Sequence, residues 1–297
     1  MPCTGSALFW VAVLFTLLGA SPVALAEDPA QLLRARHLAL VDELASNPFS
    51  RPLYLESRET KDTLEGEIYA LVEQPFAVVD PSLQGIGHWC DILILHVNVK
   101  GCRNASPQGD SALSLSVGRK FEQPLADAYQ FEFRYQVVAS TPDYVHVQLT
   151  APVGPMDTRD YRIALEVVGI DAQRSFLHLS YSYAFGLAAR MAMQGYLATT
   201  GRDKVGFSII GRNAQGQPVY VGSTLGVVER NTMRYYLAIE AYLGALSAPA
   251  PDRLEQRLKA WHVAVERYPL QLHDLELGEY LDMKRKEIRR QQAVVVQ

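Results

Sequence analysis

Seven histidines, two strand-borne glutamates and several tyrosines are the side chains here that could do chemistry. The histidines, His37, His88, His96, His146, His178, His262 and His273, are scattered. None has the HxH, HExxH or cysteine–histidine spacing that gathers ligands round a metal ion. The pattern therefore calls for no metal and no cofactor. His146 and His178 fall in the polar phase of alternating segments and read as solvated or structurally bonded. His88 differs because it adjoins Trp89 and Cys90, a position from which it can touch a ligand at a cavity mouth. Glu132 and Glu166 are flanked by aromatics, but alternation turns Glu132 away from Phe131 and Phe133. Solvated strand faces explain these carboxylates better than paired acid–base work. A G-x-S-x-G elbow is missing, as are G-x-G-x-x-G and G-x-x-x-x-G-K-[ST], so neither a serine nucleophile nor a nucleotide is expected. Gly201-Arg202-Asp203-Lys204 reads as a polar turn.

The aromatic side chains carry more information. Tyr129, Phe131, Phe133 and Tyr135 alternate with Gln130, Glu132, Arg134 and Gln136, and Leu177, Leu179, Tyr181, Tyr183 and Phe185 alternate with His178, Ser180 and Ser182. Period-two alternation marks strands with one apolar face. Phe133, Tyr135, Tyr161, Tyr181 and Tyr183, with His88, Trp89 and Tyr236, are the candidate ligand-binding residues. Aromatic rings supply apolar area, and their hydroxyls can orient a bound molecule. The competing reading is that they only fill a core.

Cys90 and Cys102 are twelve positions apart, too far for CxxC and without a zinc framework around them. In an exported chain they read as a disulfide, contributing about 3 kcal/mol for a loop this short. Export is expected from the N-terminus. Ala7 to Ala20 is an apolar run too short for the ~20 residues of a bilayer span. Ala24-Leu25-Ala26 supplies a small-x-small cleavage pattern. Residues 1–26 thus read as a signal peptide with cleavage before Glu27, in a periplasmic or secreted protein. The stretch before the run lacks the usual positive charge, and an uncleaved anchor is the competing reading. The net charge of −4 over 297 residues argues against a nucleic-acid partner. With 48% hydrophobic and 20% charged residues, the chain should fold.

These side chains must be positioned by an α+β fold. The spacing predicts a helix over 30–44 within an N-terminal helical segment, 27–63, and a strand over 64–72. A short helix over 75–83 and an apolar strand over 92–99 follow. Strands at 112–117, 129–139, 144–150, 161–169 and 175–185 form an antiparallel meander. A helix is expected over 187–198, then short strands at 205–210 and 219–222. The nearly all-apolar helix 231–246, capped by Asn231, should be buried on more than one side. Beyond it, 247–297 reads as a helical extension opened by an Asp252/Glu255 capping box and ending in a peripheral helix from Leu270.

Gly66-Glu67-Ile68-Tyr69, then Gln74-Pro75-Phe76 and His88-Trp89, together with Thr158-Arg159-Asp160-Tyr161, resemble local patterns of the START and polyketide-cyclase-like (helix-grip) superfamily. The resemblance spans roughly residues 60–246, and the helix over 187–198 departs from the family's usual strands. It implies a curved antiparallel sheet wrapped around a long C-terminal helix in a domain over 64–246, with an apolar cavity between them. The implied function is binding of a lipid or other small hydrophobic molecule. A cyclase- or hydrolase-like enzyme using the same cavity, with His88 or a tyrosine as acid–base, is the second reading. A structural or interaction protein of the envelope with a filled core is the third. Lys284, Arg285 and Lys286 form a basic run that could make weak contact with anionic headgroups.

Overall fold

The computed structural model describes residue 1 and residues 28–105, 111–199 and 201–295; the expected signal peptide falls almost entirely outside these. The elements run α1 (Pro29–Ala39), α2 (Val41–Ala45), β1 (Leu53–Glu59), β2 (Thr63–Val72), α3 (Phe76–Leu83), α4 (Ile86–Leu93), β3 (Val99–Asn104) and β4 (Ala112–Val117). Then come β5 (Tyr129–Thr141), β6 (Tyr144–Val153), β7 (Thr158–Gly169), β8 (Ser175–Phe185), α5 (Leu187–Ala198), β9 (Ile209–Arg212) and β10 (Pro218–Tyr220). Four helices close the chain: α6 (Ser223–Gly244), α7 (Arg253–Val265), α8 (Pro269–Leu272) and α9 (Leu277–Val295).

β1 to β8 form one antiparallel sheet in the order β1-β2-β8-β7-β6-β5-β4-β3. The topology follows from the connections. β1 and β2 make a hairpin, α3 and α4 carry the chain to the far edge, and β3 to β8 meander back until β8 pairs with β2 along its whole length. Alternation does the rest. In β8 the odd-numbered positions from Leu177 to Phe185 are all buried, whereas His178, Ser180 and Ser182 are only half-buried. That apolar face grips α6, whose 22 residues give a rod of about 33 Å. The helix crosses β2 so closely that a Cβ at Gly66 would collide with the Thr232 hydroxyl, so glycine is required there. The architecture is thus α+β and helix-grip, with α7 and α9 forming a further layer behind α6. A second, smaller core lies on the sheet's outer face, where Leu33, Leu40 and Leu44 pack on Tyr69, Tyr144 and Phe176.

Several expectations are corrected. Helix 30–44 breaks at Leu40 into α1 and α2, and Asp28 caps α1 by accepting from the Ala30 N–H. The segment 27–63 is not wholly helical, because Leu53 and Leu55 bury one face of edge strand β1. The apolar run from Ile92 ends helix α4 and a turn; strand β3 starts only at Val99. That run is buried on every side, and burial without alternation erases the period that separates helix from strand. The short strands β9 and β10 pair with each other, outside the main sheet, and Ile209 is exposed. Helix α6 begins eight residues before Asn231, with Gly222 at its N-cap, so Asn231 is an interior residue. Asp252 makes no side-chain cap, and Glu255 instead holds Arg285 at 2.8 Å. Finally, α9 is not peripheral: Tyr280, Leu281 and Met283 are buried in the main core. Lys284 is buried as well, bonded to the His96 and Val99 carbonyls and to Glu287. Arg285 pairs with Glu255 and Lys286 with Glu122. Of the run Lys284, Arg285, Lys286, then, the first is buried and the other two are ion-paired, with Lys286 exposed. No helix among the described residues is long and apolar enough to cross a membrane.

Candidate ligand cavity

Between the sheet, α5 and α6 lies a cavity of about 360 Å³. Its size falls within the range of small-molecule sites. The sheet contributes inward-facing rings, Phe131 and Phe133 from β5, Tyr161 from β7, and Tyr181 and Tyr183 from β8. Phe131 and Phe133 lie 5.1 Å apart between centroids, and Tyr161 stacks on Tyr183 at 5.1 Å. Helix α6 adds Thr224, Val227, Asn231 and Tyr235, which are one stripe at three- and four-residue spacing. Helix α5 adds Ala189, Met193 and Tyr196 in the same way. The loop before β7 shapes the rim, where Met156 and Asp157 adopt positive φ, as does Asp160 just inside the strand. Left-handed backbone at non-glycine residues costs roughly 1–3 kcal/mol each and persists where packing enforces it.

Of the eight expected ligand-binding residues, the structure brings Phe133, Tyr161, Tyr181 and Tyr183 into this wall. It does not bring the other four. Tyr135 shares their face, but its hydroxyl donates to the Gln84 carbonyl at 2.5 Å, away from the cavity. The Trp89 indole N–H is bonded to the Leu83 carbonyl at 2.8 Å, within the core. His88 sits on α4 beside the Tyr242 ring, 6.0 Å between centroids. These two miss the site because α4 packs under the C-terminal half of α6, whereas the cavity opens beside its N-terminal half. Tyr236 lies about 100° round α6 from Tyr235 and bonds Glu240 instead. The disulfide between Cys90 and Cys102 joins α4 to β3, with Cα atoms 5.2 Å apart.

Two residues that matter most here carried no sequence signal for it. Tyr235 lies 5.2 Å from Tyr181 and 4.8 Å from His96, ring to ring, and all three line the cavity. Burial raises the Tyr181 and Tyr235 hydroxyls above the usual tyrosine range, so both stay neutral donors. Burial, reinforced by Arg234, Lys284, Lys120 and Lys100, pushes His96 well below the usual histidine range. Its Nδ1 accepts from the Asn98 N–H at 3.1 Å. The outer sheet face holds a separate polar cluster. His178 Nδ1 meets Glu166 at 2.8 Å, Nε2 stands 3.4 Å from Glu67, and Tyr144 and Tyr69 donate to those carboxylates. His178 is therefore structurally bonded, one of the two readings its alternation gave, whereas Glu166 is locked to it rather than solvated as expected, and Glu132 is exposed. Among the described residues, no group of three His, Cys, Asp or Glu side chains is arranged to hold a metal ion.

No protein-family model matches this chain, and no curated protein does. Among solved structures it is similar to a START superfamily protein from Mycobacterium smegmatis, with 12% identity, covering 47% of this chain and 88% of that one at a TM-score of 0.32. Norcoclaurine synthase from Thalictrum flavum gives 15% identity, 47% and 79% coverage and a TM-score of 0.34. Human StAR-related lipid transfer protein 5 gives 10% identity, 57% and 88% coverage and 0.30. With TM-scores of this size, the reading of the cavity rests on this chain's own geometry.

Proposed function

We propose that this protein binds one small hydrophobic or amphiphilic molecule in the cavity between the sheet and α6, and that it does so outside the cytoplasm. The carrying observation is the open volume of about 360 Å³ inside an aromatic wall. Interiors packed to normal density leave few voids larger than a water molecule, so a core made only for stability would close over such a space. A ligand there would gain roughly 25 cal/mol for each Å² of apolar surface removed from water, before ordering costs. Among the described residues the wall holds one histidine and no aspartate or glutamate, so no carboxylate–histidine pair is assembled there. Export is supported by the small-x-small site at Ala24-Leu25-Ala26 and by the Cys90–Cys102 disulfide.

N-phenyl-1-naphthylamine, a neutral dye that brightens in apolar sites, tests the reading. The wild type should bind it saturably. Tyr183→Trp, which adds volume inside the wall, should weaken binding about tenfold while costing well under the 1–3 kcal/mol of overpacking a filled core. No uptake by the wild type, with a large loss of stability in the variant, would overturn it. For export, the secreted or periplasmic chain should begin at Glu27 by intact mass; a mass that retains residues 1–26 would refute cleavage.

A further inference from the structure

The cavity's histidine is a donor without an acceptor. Because His96 Nδ1 accepts the Asn98 N–H, and burial with nearby cations keeps the ring neutral, its one proton sits on Nε2. That atom is buried and has no hydrogen-bond partner among the described residues, while the side chain lines the cavity and is 3% exposed. A buried donor left unmade is costly, and a bound acceptor removes the cost.

The charge around His96 has a definite sign. Lys284 donates to the His96 carbonyl at 2.8 Å and shares Glu287 with Lys100, at 2.9 and 3.1 Å. On the neighbouring side Asp274 is shared by Arg234 at 2.7 Å, Lys120 at 2.6 Å and Lys204 at 4.0 Å. Five cations thus lean on two carboxylates, and Arg234, Lys100 and Lys284 are buried. Surplus positive charge in a poorly solvated region favours an anion nearby. A neutral acceptor would satisfy the His96 donor and leave that surplus unanswered.

We propose that the cavity's ligand is an amphiphile with a carboxylate headgroup, seated against the His96 Nε2–H with its apolar tail along Phe131, Phe133, Tyr161 and Tyr183. This rests on the binding function proposed above and names the class of ligand. The carboxylate answers both observations at once, accepting from His96 and sitting within the field of Arg234, Lys120, Lys100 and Lys284. Sequence alone hides the site, since Arg234 and Lys284 come to His96 from α6 and α9, far along the chain.

Displacement of N-phenyl-1-naphthylamine at pH 7, below the value of about 8 to which burial pulls Lys120 and Lys284, by decanoate and by methyl decanoate, in the wild type and in His96→Phe, tests it. Phenylalanine keeps a ring beside Tyr235 and removes the donor. Decanoate should displace the dye from the wild type at least about tenfold better than its ester, the scale of a hydrogen bond to a charged group. His96→Phe should reduce that preference at least about threefold, since it removes the donor and leaves the surrounding cations in place, with each decanoate affinity read against the ester in the same protein. Dye bound with no preference for decanoate in the wild type, or a preference undiminished in His96→Phe, overturns the carboxylate ligand and leaves the binding function standing. The wild-type comparison holds even where the variant does not fold. No dye bound by the wild type overturns the binding function, and this proposal with it.

Discussion

His178 is held between two carboxylates under the stacked ring of Tyr69, 4.3 Å away between centroids. Burial alone would lower it, but Glu166 and Glu67 overcome that and push it up to about 9. The ordinary value, near 6.5, stands for the unfolded chain. A group whose folded value is the higher one stabilises fully below about pH 6.5 and loses that contribution as pH rises toward 9. The shift corresponds to a contribution on the order of 3 kcal/mol. Urea unfolding at pH 6 and pH 9 should show the wild type losing up to about that much more stability than His178→Gln. Other groups titrating in this window are common to both proteins and cancel; equal losses would mean that the His178 pairings are not formed. Alternation assigned this residue to the polar face correctly and left solvent or structural bonding open, and the second holds. Two glutamates and two tyrosines from other positions and strands fill the place that water would have taken.

Elements buried on one face were legible, because a one-sided environment imposes a period on the sequence. β5 and β8 show this, and the same parity placed Phe133, Tyr161, Tyr181 and Tyr183 in the wall. Where burial is complete, as from Ile92 to Leu95, the period vanishes, and the end of α4 passed for a strand. Asn231 passed for a cap because asparagine favours that position, although Thr224 and Val227 already continue its stripe upstream. The helix it belongs to supports a direct check. Leu237 is fully buried on α6, and Leu237→Ala should cost about 2–5 kcal/mol in chemical denaturation; a cost under 0.5 kcal/mol would remove α6 from the core. The last helix is held differently. Glu287 stands between Lys100 and Lys284, both fully buried, and Lys284 is pulled down to about 8 chiefly by burial. Glu287→Leu leaves two buried amines without their carboxylate, so a loss of about 3–5 kcal/mol is expected. A neutral outcome would show α9 to be held by Tyr280 and its apolar neighbours alone.

At the scale of the whole molecule, the cavity divides the fold into a rigid half and a looser one. The sheet and α6 form the rigid half: α6 is anchored by Met233, Leu237 and Tyr242 and backed by α7. Helix α5 closes the other side with little to hold it. Ala189 is its only buried residue among those described, while Leu187 and Met191 are largely exposed. Its neighbours are the β7-leading loop, with its left-handed residues, and the end of β8. Regions with few buried contacts open locally at low free-energy cost, and a ligand bridging them to the core raises that cost. In hydrogen exchange read by mass spectrometry, amides of α5 should therefore exchange well before those of α6 in the free protein. Saturating N-phenyl-1-naphthylamine should slow α5 while leaving the centre of α6 unchanged, because only α5 gains a partner that it lacked. Equal protection of the two helices in the free protein would mean that the cavity is sealed, and a ligand would then enter by some other path than the displacement of α5.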